Sequence, residues 1–109
     1  MRFRLPHILL LLAWVAGAAA GSQEPSATLR QADADYREGL EALKRDDLKT
    51  AQLKFETVVR LAPSAEQGHG ALGAVLVREG QLAAGTRELE KALALKPEDA
   101  AAQSNLAMV

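Results

Sequence analysis

From Leu29 onward, apolar residues recur at spacings of three and four. Leu29, Ala32, Tyr36, Leu40 and Leu43 form one stripe, on a segment that otherwise carries Arg30, Asp33, Arg37, Glu41 and Lys44. That period places the apolar side chains on one face of a helix, and the alternation a strand requires is absent. Asp46 and Asp47 interrupt the stripe. Either can accept a hydrogen bond from the free amides that open a second helix, on which Leu48, Ala51, Phe55, Val58 and Val59 repeat the pattern up to Pro63. A catalytic carboxylate pair is the sharper reading of Asp46 and Asp47, but adjacent residues at a helix start point in different directions, and a cap accounts for them. The pattern then predicts a helix from about Ala65 to Glu79, a break at Gly80 suited to a left-handed helix end, and a helix from Leu82 to Leu95 stopped by Pro97.

The second pair of helices copies the first. Pro63 and Pro97 set a 34-residue period, and at that offset Phe55 falls on Leu89, Val58 on Ala92, Val59 on Leu93 and Leu61 on Leu95. Carried backwards, it pairs Ala51 with Gly85, Leu48 with Leu82, Leu43 with Val77 and Gly39 with Gly73, so small residues sit over small and large over large. A fixed period of this length marks a stacked helix-turn-helix unit. The remaining stretch, EDAAAQSNLAMV, matches the opening of a third unit, with Leu106 placed one period after Leu72. The predicted fold is therefore all-α: antiparallel helix pairs stacked as an α-solenoid of about two and a third repeats, over residues 29–63, 64–97 and 98–109.

These positions resemble the tetratricopeptide repeat (TPR) family from about Ala32 onward, and the resemblance implies a right-handed solenoid. Gly39, Ala51, Phe55 and Pro63 fit its pattern in the first unit, and Leu72, Gly73, Leu76, Gly85, Leu89, Ala92 and Pro97 fit in the second. The physical logic is independent of the name, because small residues let paired helices approach closely while Phe55 and Leu89 fill the space between them. The chain departs from the family at Asp35 and Glu38, where bulky apolar side chains are usual, at His69, where an aromatic is common, and at Val58 and Gly85, where alanine is usual. Gly68, Gly70, Gly73 and Gly85 fall inside predicted helices, each costing about 1 kcal/mol relative to alanine, so the second unit is expected to be soft.

Residues 1–20 read as an address. Arg2 and Arg4 make a basic start, Ile8 to Val15 is an uncharged apolar core, and AGAAAG at 16–21 supplies the small residues a signal peptidase accepts. An uncleaved anchor is the alternative, but the apolar run is shorter than the roughly 20 residues that span a bilayer. Residues 21–28, GSQEPSAT, read as a flexible linker. Export is the expectation, to a periplasm or the medium, and the alanine-rich cleavage region favours a bacterial source. Cleavage removes two of the 13 basic residues and leaves 11 against 14 acidic, a weakly acidic, interspersed surface that argues against nucleic acid or anionic membrane as partner.

Chemistry is sparse in what remains. The chain has no cysteine, which removes disulfides, thiolate ligands and thiol nucleophiles. His69 is the one histidine outside the leader, and a single imidazole cannot build the usual zinc shell, so a packed histidine is expected. No serine has an evident base beside it. An enzyme, a cofactor or a metal centre is not expected.

In the TPR family the first helix of each unit lines a concave groove that binds segments of other proteins. The resemblance thus implies a groove made by Asp33, Tyr36, Leu40, Leu43 and Lys44 in the first unit, and by Gln67, Gly70, Ala74, Val77 and Arg78 in the second. This lining is mainly apolar, with Lys44 and Arg78 as cations toward one rim, and suits an apolar or amphipathic segment of a partner protein. The family's carboxylate grip uses lysine and asparagine where Tyr36 and Leu40 stand, so that mode is not implied. The alternative is that the stripe is simply buried against the C-terminal unit or a second copy. Stacked repeats need roughly three units. The sequence is therefore read as part of a longer open reading frame, with docking of the last helix on another copy or another protein as alternatives. A helper segment of an enzyme is a further reading of such a longer chain.

Overall fold

Five α-helices make up the structure, a computed structural model that describes residues 25–109: α1 Ala27–Lys44, α2 Leu48–Leu61, α3 Glu66–Arg78, α4 Leu82–Leu95 and α5 Ala100–Ala107. Among the described residues there is no strand. The leader assigned to residues 1–20, and 21–24 of the expected linker, lie outside them. The rest of that linker differs from expectation. Ser26 accepts from the Leu29 N–H at 3.1 Å, and this N-cap draws Ala27 and Thr28 into the first turn of α1.

The sequence period is present in the backbone itself. Helices α2 and α4 begin at Leu48 and Leu82 and end at Leu61 and Leu95; α1 and α3 end at Lys44 and Arg78; α3 and α5 begin at Glu66 and Ala100. The connections repeat bond by bond. Ala62 N–H donates to Val58 O and Lys96 N–H to Ala92 O, both at 2.8 Å, while Ala65 N–H donates to Ala62 O and Asp99 N–H to Lys96 O, both at 3.1 Å. Ala62 and Lys96, each preceding a proline, are both driven out of the helical region, at φ −134° and −143°. Asp47, of the two candidate carboxylates, is the cap of α2, accepting from Thr50 N–H at 3.1 Å.

Packing follows the same unit. The most extensive contacts join α1 to α2 and α3 to α4; α2 then meets α3, and α5 lies on α3 and α4. The pairs run antiparallel, since Gly73 faces Leu89 while Val77 faces Gly85. Phe55 and Leu89 are fully buried, and each sits against the glycine of its own unit: a Cβ on Gly39 would come within 2.5 Å of Phe55 Cε1, and one on Gly73 within 2.7 Å of Leu89 Cγ. Gly85 and Gly68 serve the same end, because a Cβ would meet Val77 Cγ2 in one case and Val58 Cγ1 in the other at 2.8 Å. The glycines that weaken the helices in isolation thereby permit the helix-to-helix contacts that bury the core.

Two polar groups are buried within this packing. Asp35 occupies a position where a large apolar residue was the family expectation. Gln31 Nε2 donates to its Oδ2 at 3.2 Å, and the Lys54 ammonium on α2 bridges Asp35 and Glu38, at 3.8 and 3.2 Å. His69 is the packed histidine that the sequence predicts, 5% exposed. Its Nδ1 lies 2.9 Å from Glu88 Oε1 on α4 and its Nε2 lies 2.8 Å from Pro63 O in the α2–α3 connection. Pro63 O only accepts, so Nε2 donates in that bond, and the ring links α4 to the α2–α3 connection.

Candidate groove between α1, α3 and α5

Tyr36 lies where two neighbouring grooves meet, and its ring is held by Phe55. It packs tilted against Phe55, centroids 5.6 Å apart, and that contact holds the ring in place at the groove wall. To one side opens a groove of about 400 Å³ lined by Leu40 and Leu43 from α1 and by Gln67, Gly70, Ala71 and Ala74 from α3. Ala101, Ala102 and Asn105 of α5 line it as well, and Glu66, Lys96 and Asp99 are its charged residues. To the other side lies a smaller lobe of about 270 Å³, with Leu29, Ala32 and Asp33 from α1 facing Gln67 and Gly68 of α3. Tyr36 and Gln67 belong to both lobes.

Most of the residues assigned to the groove from sequence therefore line it: Asp33, Tyr36, Leu40, Leu43, Gln67, Gly70 and Ala74. Lys44, Val77 and Arg78 do not. Val77 turns into the α3–α4 contact over Gly85, which has no side chain to hold it off. Arg78 reaches back to Asp46 in the α1–α2 connection, Nη2 to Oδ1 at 2.8 Å, and Lys44 pairs with Glu41 of its own helix at 3.1 Å. The two cations placed at one rim from sequence are thus engaged elsewhere. The contribution of α5 was not assigned from sequence, although the period carries it: Ala101 lies one period after Gln67, and Asn105 lies one period after Ala71.

The charge in the groove is concentrated where α3 and α5 begin. Glu66 opens α3, and Asp99 is the N-cap of α5, its Oδ1 accepting from Ala102 N–H at 3.1 Å. Desolvation and the facing Asp99 carboxyl push Glu66 above the usual carboxylate range, with Lys96 opposing. Burial, followed by the same two carboxylates, raises the Tyr36 hydroxyl above its ordinary value. Between α3 and α4, burial acts to raise Glu88, but hydrogen bonds from His69 and Lys91 outweigh it and hold this carboxyl below the usual range. Among the described residues, no group of three or more histidine or carboxylate side chains is placed to share a metal ion.

No protein-family model matches the chain, and neither does any curated protein sequence.

Proposed function

We propose that the chain is an exported, non-enzymatic protein-interaction module of the TPR type, a right-handed α-solenoid that holds an apolar or amphipathic segment of a partner protein between α1, α3 and α5. The observation that carries this reading is the groove itself. Leu40, 37% exposed, together with Leu43, Ala71 and Ala74, presents an apolar floor beside a half-buried tyrosine on a scaffold of repeated hairpins. Concave, apolar and bordered by a few polar groups, it has the character of a binding site for a segment rather than of a closed core. The equivalent burial of Phe55 and Leu89 over Gly39 and Gly73 supports the repeat type. Export rests on the basic start and the apolar run of residues 1–20.

Affinity capture with the wild-type chain and with Tyr36→Ala and Leu40→Asp variants tests the reading. A partner recovered by the wild type is expected to be lost with both variants, and unchanged recovery contradicts groove binding.

A second reading has its own observation. Met108 and Val109 are exposed after the end of α5, at 70 and 49%, and Leu95 is exposed at the end of α4, at 44%. Exposed apolar side chains of this kind suit self-association. Light scattering over a dilution series separates the two, because a monomer that persists at micromolar concentration removes this second reading.

A further inference from the structure

The groove has two chemically distinct ends, and the distinction identifies what enters it. One end is apolar, floored by Leu40, Leu43 and Ala74. The other presents two carboxylates. Asp99 commits its Oδ1 to capping α5, and its Oδ2 lies beside Gly70, which has no side chain to cover it. Among the described residues no cation lies within ion-pair distance of Glu66 or Asp99, although Lys96 lines the same end. Several other carboxylates do have such a partner: Asp35 and Glu38 share Lys54, Asp46 pairs with Arg78 and Glu88 with Lys91. The groove therefore offers negative charge at one end, a tyrosine face beside it and apolar surface beyond.

We infer that the occupant is a protein segment carrying a lysine or arginine next to an apolar anchor, its cation seated between Glu66 and Asp99 and its apolar side chain on Leu40 and Leu43. This rests on the groove-binding reading above. The charge complements the carboxylate pair, and the aliphatic stem of a lysine or arginine crosses the Tyr36 ring, which adds a cation–π contact to the ion pair. The cation also relieves the repulsion between the two carboxylates.

Selection of random dodecapeptides displayed on phage against the full chain tests this. The expected outcome is enrichment of a basic residue adjacent to an apolar one among peptides whose binding is lost in Leu40→Asp. For such a peptide, the double variant Glu66→Gln/Asp99→Asn weakens binding about tenfold, and replacing the basic residue by glutamine weakens it by the same factor but adds nothing in the double variant. Asparagine at position 99 keeps a cap for α5, and circular dichroism of the variant confirms the fold. Leu40-dependent peptides with no basic enrichment, or with unchanged affinity for the double variant, overturn this inference and leave groove binding standing. A selection that yields no Leu40-dependent peptide overturns both.

Discussion

Asp46 and Gly80 end their helices in the same way. They occupy equivalent places in the two units and take positive φ values of 59° and 83°. Beyond each, the next amide returns to the helix, Asp47 N–H to Ala42 O at 2.9 Å and Gln81 N–H to Leu76 O at 2.8 Å. This closure requires a left-handed residue, which glycine adopts freely and a residue with a side chain adopts at a cost.

Asp46→Gly is therefore expected to stabilise the chain. Relief of the left-handed conformation is worth about 1 kcal/mol, more than the exposed ion pair with Arg78 that the substitution removes. Thermal unfolding checks it, with Asp46→Ala expected to lower the midpoint.

The helical glycines are expected to divide into two kinds. Gly39→Ala and Gly73→Ala force a Cβ into Phe55 and Leu89, and overpacking of this severity costs about 1–3 kcal/mol. Gly70→Ala meets only ordinary contacts, at 3.8 Å to Asp99 and 3.9 Å to Ala92, and gains up to about 1 kcal/mol of helix propensity. Chemical denaturation of the three variants separates them by sign.

The His69–Glu88 pair predicts a pH dependence. Glu88 is held below its unfolded value, so at acidic pH the unfolded chain binds the proton more readily than the folded one. The stability it contributes is complete above the ordinary carboxylate range and is lost as pH falls through the depressed folded value. The stability difference between wild type and Glu88→Gln is expected to shrink over that acidic window. His69→Leu removes the hydrogen bonds to both Glu88 and Pro63 O and is expected to cost about 2 kcal/mol at neutral pH, measured by denaturant unfolding.

Helix positions were legible in the sequence because the apolar stripes and their punctuation agree. Leu48 and Leu82 start helices and Pro63 and Pro97 follow their ends, both in the pattern and in the structure. The groove was legible where a residue's direction is fixed by its place on its helix, as for Tyr36, Leu40, Gln67 and Gly70. It was not legible at Val77 and Arg78, whose directions are set across the packing, by the bare backbone of Gly85 and by Asp46 in another connection. Asp46 read as one of two caps, since nothing local distinguishes a capping aspartate from one held in the left-handed region. The carboxylate pair of Glu66 and Asp99 joins residues distant in the chain, a juxtaposition that only the stacking of α5 on α3 creates.

Site-specific photo-crosslinking tests groove binding most directly. A benzoylphenylalanine introduced at Leu40 is expected to form a covalent adduct with a partner protein, and the same group at Lys49, exposed on α2 outside the groove, is expected to form none. An adduct of equal yield at both positions, or only at Lys49, contradicts the groove as the binding surface.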